Sequence, residues 1–408
     1  MSIFSRKKKQ EAQNALSTSG GQTFFVGGPS SAGTHVSENT AMQCAAVNAC
    51  VRVISETIAS LPLHVYRNDD NGAVPAPEHR LYRLLHFAPN PEMTSFTFRE
   101  TMMEHLLLYG NAYAQVMRDG GRRVRALYPL LPYKMDVHRN DDGTVYYTYY
   151  RDRDESRPGQ KDGGVTLRWD EVLHITGLSH DGMLGLSPVA MARNVIGLSL
   201  ATEKYGANFF ANSANPGGII ESPHAENNVT PDELRKVWDS LYKGNNNRVA
   251  VLTNGLTFKK VSVTPEEAQF LETRKFQLNE IARVFRVPPH MIGDLERSSF
   301  NNIEHQSLEF VKYTISPWLV RWEQAMCLSL LTETEQEKYF IKFNLDGLLR
   351  GAYESRMRGY QIGINSGFMS PNDVRALEDQ TSIPPPGGDV YRMNSAMKDI
   401  NELTEGSE

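Results

Sequence analysis

The sequence predicts an α+β fold, in which a mixed N-terminal region precedes a region of long helices. Helix-patterned and strand-patterned segments alternate over residues 39–186. Beyond residue 186, several helices begin at Ser-Pro or Thr-Pro pairs. Two long helices there flank a small α/β insert. The chain therefore has room for two or three compact regions, one of them with a sizeable core.

The mixed region follows an N-terminal segment, residues 1–38, that is rich in Ser, Gly, Gln, Thr and Asn. This composition buries too little apolar area to offset ordering entropy, so a flexible arm is expected. Apolar residues at helical spacing predict a helix over residues 39–61, which ends because Pro62 disfavours helical backbone before it. A second helix is predicted over residues 95–108, with Gly110 at its end.

Strand-prone segments separate and follow these helices. Residues 63–66 read as a strand, and so do residues 172–175. Residues 135–138 and 144–150 flank the sequence Asn-Asp-Asp-Gly at 140–143. These turn residues between two β-prone segments predict a hairpin.

The second region has clear helix starts. Four pairs place a hydroxyl at the N-cap and proline at the first helical position: Ser187-Pro188, Thr230-Pro231, Thr264-Pro265 and Ser370-Pro371. The helix predicted over residues 264–287 would span about 34 Å at 1.5 Å per residue. Another, over residues 303–331, should kink at Pro317. A helix over residues 187–212, a small lobe over 213–263 and a returning helix is the simplest layout.

Composition and charge exclude several classes of function. Of 408 residues, 40% are apolar and 22% are charged, which is typical of globular proteins. The net charge of −5 argues against tight binding of nucleic acid over a broad surface, so any DNA contact should be local, loose or sliding. Three cysteines without a Cys-x-x-Cys pair indicate a reducing compartment and no zinc site. No secretory signal or membrane-spanning segment is expected.

A search for catalytic motifs finds none. The chain has no His-Glu-x-x-His, no phosphate-binding Gly-x-x-x-x-Gly-Lys and no Gly-x-Ser-x-Gly sequence. His174 and His180 flank a short segment, but no thiol or carboxylate pattern completes a metal set. Asp141 and Asp142 stand beside Gly143 and indicate turn chemistry. We therefore expect a protein without catalytic activity, cofactor or metal.

Eight segments, in order, resemble the portal proteins of long-tailed double-stranded DNA bacteriophages. The strongest block runs through residues 269–294 and ends in Val287-Pro288-Pro289-His290-Met291-Ile292-Gly293-Asp294. The others are residues 46–51, Leu61-Pro62-Leu63, Leu108-Tyr109-Gly110-Asn111-Ala112-Tyr113, Gly185-Leu186-Ser187-Pro188, residues 209–218, Asn302-Ile303-Glu304 and residues 367–375. The resemblance covers residues 40–390. Two positions depart from it: Arg286, where a small residue, often glycine, is expected, and Asp373, where glutamate is commoner.

The resemblance implies an architecture and a ring of about twelve subunits. Its parts would be a flexible arm (1–38), an α/β wing (39–186), a stem helix (187–212), a clip (213–263), a second stem helix (264–287), a tunnel-loop region (288–302), a long kinked helix and strand returning to the wing (303–346), a helical crown (347–390) and a flexible tail (391–408).

The resemblance also suggests functional residues. The loop facing DNA would present Arg297, Ser298, Ser299, Phe300, Asn301 and Asn302. The clip residues that face the packaging motor and the adaptor would be Lys236, Lys243, Asn245, Asn246, Asn247 and Arg248. A solvated surface explains the clip residues equally well, and unchanged motor binding by a Lys236/Lys243/Arg248 triple variant would favour it. Stem packing between subunits would involve Arg274, Lys275, Glu280 and Arg283, unless these are plain surface.

The expected partners are copies of the chain itself, double-stranded DNA, the terminase large subunit, the major capsid protein with its scaffold, and a head–tail adaptor. The protein would reside at the capsid portal vertex of a virion assembled in the bacterial cytoplasm. Two alternatives remain at this point. One is another head or neck ring protein, such as an adaptor, and the other is a DNA-processing enzyme.

Overall fold

Helices and strands alternate in the first half of the chain, and helices dominate the second. The computed structural model describes residues 28–69, 72–153, 163–211, 218–221, 232, 257–260, 267–294, 300–345, 348, 353–378, 380–385 and 387–391. The expected tail (391–408), apart from residue 391, lies outside the described residues. So do the helix start at Thr264 and, apart from residue 232, the helix expected after Thr230.

The elements follow one another closely along the chain. The helices are α1 (Glu38–Ala41), α2 (Ala45–Ser60), α3 (Arg80–His86), α4 (Ser95–Tyr109), α5 (Pro188–Met191), α6 (Arg193–Ala211), α7 (Glu267–Phe285), α8 (Phe300–Glu309), α9 (Ser316–Leu330), α10 (Glu333–Gln336), α11 (Tyr353–Asn365) and α12 (Pro371–Leu377). The strands are β1 (Gly28–Pro29), β2 (His35–Val36), β3 (Leu63–Asp69), β4 (Gly72–Pro75), β5 (Asn111–Arg118), β6 (Val124–Leu130), β7 (Met135–Arg139), β8 (Val145–Tyr150), β9 (Gly164–Arg168), β10 (Val172–Thr176), β11 (Gly218–Glu221), β12 (Thr257–Lys260) and β13 (Tyr339–Phe343).

Residues 28–38 form ordered structure instead of the end of the expected flexible arm. Strand β1 pairs with β2, and Val36 is fully buried. Gly197 of α6 lies against Ser30, where a methyl group would overlap the serine side chain. The hairpin is therefore held by contacts with a helix far along the chain, which local composition does not reveal.

Three antiparallel sheets of three strands form the mixed region, in the orders β10-β5-β6, β13-β3-β4 and β7-β8-β9. The predicted hairpin at residues 140–143 is confirmed between β7 and β8. Gly143 has φ +89°, and Asp142 Oδ1 accepts a hydrogen bond from the Thr144 amide at 2.8 Å. Asp142 and Gly143 thus shape a turn, as the sequence indicated.

The core lies where α2 packs against α4 and where α9 crosses β10 and β13. Trp322 on α9 is fully buried, and its ring meets Phe343 edge to face at 6.2 Å between centroids. Because α9 contacts two different sheets, it joins the two sides of the core. Strand β13, the expected return to the mixed region, pairs with β3.

Arg99 on α4 is a buried charge that connects two helix ends. Its guanidinium donates to the Ala59 carbonyl at 2.7 Å, near the end of α2. It also donates to the Leu85 carbonyl at 3.1 Å, near the end of α3. Desolvation lowers the pKa of Arg99 to about 10. The guanidinium donates hydrogen bonds to carbonyls that the helix ends leave unpaired. Its positive charge also interacts favourably with the negative ends of the two helix dipoles.

The long helices depart from their predicted bounds at two places. The helix predicted over residues 187–212 is interrupted at Ala192, between α5 and α6. The helix predicted over residues 303–331 begins at Phe300 and passes through a π-helical segment, Phe310–Ile315. The kink expected at Pro317 stays a prediction, which this segment favours, because Pro317 has no N–H to donate to the carbonyl of residue 313 within it.

Helices α6 and α7 lie side by side, with Gln277 Nε2 donating to Thr202 Oγ1 at 3.4 Å. In the chain between them, β11 pairs antiparallel with β12. At the other end of the sequence, Ser370 caps α12 through a reciprocal pair of hydrogen bonds with Asp373, as its Ser-Pro pair predicted. Glu378 after α12 pairs with Arg356 of α11 at 2.8 Å.

Candidate functional site

The predicted loop residues fall at the boundary of the described chain. Arg297, Ser298 and Ser299 lie outside the described residues. Phe300, Asn301 and Asn302 form the first turn of α8. The predicted clip residues also lie outside: Lys236, Lys243, Asn245, Asn246, Asn247 and Arg248. The structure does describe the residues on either side of residues 295–299, and these show what holds the two ends of the predicted loop.

The end of α7 fixes the entry to the loop. The Val287 amide donates to the Ala282 carbonyl at 2.9 Å, and the Arg286 amide donates to the Arg283 carbonyl at 3.2 Å. This is a Schellman ending, in which the residue after the helix adopts left-handed backbone. Arg286 does so, with φ +57°. Glycine adopts this conformation at the least cost, which explains why a small residue was expected at this position.

Three side-chain hydrogen bonds hold the chain on either side of residues 295–299. Before the loop, Asn279 Nδ2 of α7 donates to Asp294 Oδ2 at 3.4 Å. After it, Gln306 Oε1 of α8 lies 2.7 Å from His290 Nδ1. Thr314 Oγ1 also donates to the Arg286 carbonyl at 2.6 Å. These bonds hold the two ends of the segment close to α7 and α8.

The predicted stem residues do not form one cluster. Arg274 is exposed on α7, while Glu280 and Arg283 form an ion pair at 2.5 Å on the same helix. Lys275 and Arg283 line a groove of about 940 Å³ between α7 and the segment from α8 to the π-helix. The spacing of these residues along the helix could not show which of them is exposed, which forms an ion pair and which lines the groove, because each outcome depends on what α7 packs against.

Two short motifs from the sequence meet at the start of α5, although they are far apart in the chain. Asn111 is buried; its Oδ1 accepts from the Gly185 amide at 2.8 Å and its Nδ2 donates to the Gly185 carbonyl at 2.9 Å. Ser187 caps α5 and donates to the Leu108 carbonyl at 2.6 Å. Gly110 has φ +76° and packs directly against the Leu186 backbone. These contacts fix the position of the start of α5 relative to β5 and the end of α4.

His174 belongs to this junction as well. Its Nε2 lies 3.1 Å from Asn111 Oδ1, and its ring stacks on Tyr113. Complete burial lowers the pKa of His174 to about 3, so the ring is neutral. Within the described ranges, no three His, Cys, Asp or Glu side chains are grouped to hold a metal ion. No described helix is long and apolar enough to cross a membrane.

Comparison with known proteins decides the family. The family model for the phage portal protein matches residues 45–379. The chain belongs to the phage portal protein family. This confirms the resemblance found in the sequence. Portal proteins are structural proteins of phage virions, which agrees with the lack of catalytic motifs in this member.

Relatives of this portal-family chain match over most of its length. It is 38% identical over 399 residues to the probable portal protein of Streptomyces phage phiC31, covering 94% of this chain and 84% of that relative. It is 34% identical over 381 residues to the portal protein of Enterobacteria phage HK97, covering 91% and 87% respectively.

The fold is similar to that of a solved particle component. A chain from the neck of a native gene transfer agent particle, computed with C12 symmetry, matches with a TM-score of 0.58 at 21% identity. The match covers 91% of this chain and 99% of that one.

Proposed function

We propose that copies of this chain form the ring-shaped DNA channel at one vertex of a phage capsid. The genome would pass through the ring during packaging and again during ejection. The ring would bind the terminase motor while the head fills and the head–tail connector afterwards. The observation that carries the proposal is the helix pair α6 and α7, which lie side by side, with the antiparallel strands β11 and β12 between them in the chain.

The chemistry of the chain suits a passage through which DNA slides. Each lysine or arginine that neutralises a phosphate adds affinity and salt dependence, so a strongly basic lining would hold DNA in place. The chain carries a net charge of −5, and its loop contributes mainly Ser298, Ser299, Asn301 and Asn302. Arg297 and Phe300 are the loop residues best able to grip the duplex. Because both ends of the loop are held, its contacts with DNA would lie at the same distance from the channel axis in every subunit.

Electron microscopy of the purified protein, combined with its mass in solution, tests the ring. We expect particles with a central hole and a mass of about twelve subunits of 45.9 kDa each. The particles should form without nucleotide or metal. A stable monomer or dimer that also cleaves plasmid DNA with a divalent metal would instead identify a DNA-processing enzyme.

Alanine variants at Arg297 and Phe300 test the loop. Rings should assemble normally, while the amount of DNA packaged or retained per particle should fall, because the strongest contacts with DNA are lost. DNA per particle can be measured by quantitative PCR after nuclease treatment. Arg52→Ala, at an exposed arginine of α2 paired with Glu56, is the matched control. Normal filling in both loop variants would remove the loop from the channel.

A further inference from the structure

Imidazole and phenol rings cluster where the end of α3 lies against β3. The rings of His64 on β3 and of His86, the last residue of α3, lie 4.8 Å apart between centroids and are tilted by 32°. Tyr82, one turn before His86, stacks on it at 5.2 Å, and the Tyr82 hydroxyl lies 3.0 Å from His64 Nδ1. We call these three residues the α3 ring cluster. It brings two titratable rings of separate elements next to each other.

The surroundings of the α3 ring cluster do not favour a protonated histidine. His86 Nδ1 is buried and has no hydrogen-bond partner among the described residues. Lys342 of β13 stands directly opposite His64 in the strand pairing, so both side chains lie on one face of the sheet. Arg99 of α4 donates to the carbonyl of residue 85, which precedes His86. Both of these neighbouring charges are positive, and a further positive charge would meet repulsion.

Other titratable groups on and around α3 and β3 are few. Strand β4 has none. Glu323 of α9, beside Lys342, accepts a hydrogen bond from the Phe343 amide at 2.9 Å. Glu335 of α10 lies near the other end of α3, against the side chains of residues 79 and 80. The remaining groups are Arg83 of α3, Tyr66, Arg67 and Asp69 of β3, Tyr339 of β13, and Arg125 and Tyr128 of β6.

The balance of these effects favours the neutral form of His64. Burial first, and then the charge of His86, lowers the pKa of His64. The unfolded chain binds this proton with a pKa near about 6.5. The folded chain therefore binds it less readily, so the contact stabilises fully above about pH 6.5, and its contribution is lost as the pH falls below that value.

We propose that the α3 ring cluster is an acid-sensitive contact, which holds the end of α3 on the sheet of β13, β3 and β4 at neutral pH and releases it in mildly acidic solution. Uptake of protons by His64 and His86 places two positive rings side by side. Neither ring forms an ion pair with a carboxylate in the part of the chain that the structure describes. Leu81 and Leu85 of α3 are buried, so release of the helix would expose apolar surface. The contact lies within one chain and does not depend on ring assembly.

The other end of α3 carries a histidine in a different environment. His79 Nε2 lies 3.6 Å from Glu335 Oε1, so its charged form has a carboxylate nearby. His79 Nδ1 accepts a hydrogen bond from the Leu81 amide at 3.3 Å and caps the helix. This end of α3 is therefore the internal comparison for the α3 ring cluster.

Hydrogen exchange of the full-length protein, followed by mass spectrometry at about pH 7.5 and about pH 5.5, tests the contact. Protection factors, which remove the pH dependence of the chemical exchange step, should fall about tenfold or more at the acidic pH in peptides covering residues 80–87. Peptides of α2 should keep their protection, because the release is local. In His86→Phe, which keeps a ring but removes the proton site, the fall should shrink to about twofold or less.

His138→Phe is the matched control. His138 of β7 also stacks on a tyrosine, Tyr146, at 4.9 Å between centroids, but outside the α3 ring cluster. This variant should lose as much protection in residues 80–87 as the unsubstituted protein does. If His86→Phe lost protection already at neutral pH, His64→Phe would give the same comparison from the other ring.

Several outcomes would overturn the proposal. One is a fall in protection that stays as large in the variant of the α3 ring cluster as in the unsubstituted protein. Another is an equal fall in α2, which would show that acid unfolds the whole chain. A third concerns His79→Asn, which keeps a helix cap without a titrating group. If this variant removed the fall and His86→Phe did not, the acid sensitivity would lie at the start of α3.

Discussion

Replacing Gly185 with alanine is expected to destabilise the protein by about 3 kcal/mol or more. A methyl group at this position would overlap the Gly110 carbonyl oxygen, which is backbone and cannot turn aside. The Gly185 backbone cannot move away either, because Asn111 holds its amide and its carbonyl at 2.8 and 2.9 Å. The urea midpoint of unfolding, followed by circular dichroism, measures the effect.

Gly120→Ala is the matched control for this variant. Gly120 lies in the turn between β5 and β6, and a methyl group there would meet no atom within 4 Å. Its urea midpoint should stay close to that of the unsubstituted protein. If Gly185→Ala proved as stable as Gly120→Ala, the junction between the two motifs would be looser than its hydrogen bonds indicate.

Trp322→Ala should cost about 3–5 kcal/mol, because it leaves a cavity where α9 crosses two sheets. Trp322→Phe should cost much less, about 1–2 kcal/mol, for a specific reason. The indole Nε1–H is buried without a hydrogen-bond partner among the described residues, so phenylalanine removes an unsatisfied donor along with part of the packing. Thermal unfolding of the three proteins, compared at equal concentration, measures both values.

Equal losses for the alanine and phenylalanine variants would contradict this account of Trp322. They would show that the indole nitrogen, and not the volume of the ring, stabilises the core. The edge-to-face contact with Phe343 remains possible for phenylalanine, which supports the smaller cost.

The sequence was sufficient to predict the family and, with it, the outline of the proposed function. It predicted the candidate site only in part. Order and spacing of eight segments indicated the portal family, which the comparison confirmed. The unusual Arg286 was visible as a departure, but its left-handed backbone was not. Nothing in the spacing of Lys275 and Arg283 showed that they share a groove with Tyr313. Side chains from separate helices converge only through packing, which a linear pattern does not encode.

Local chemistry by itself determined the helix starts at Ser187 and Ser370, the helix end at Gly110 and the turn at residues 140–143. Each of these depends on backbone preferences and hydrogen bonds within a few residues, so a short stretch of sequence is sufficient. Tertiary structure alone decided that Asn111 would hold Gly185, that β1 and β2 would be ordered, and that Arg99 could be buried. Those features depend on burial and on partners brought together across long loops, and their free energy exists only once the chain has folded.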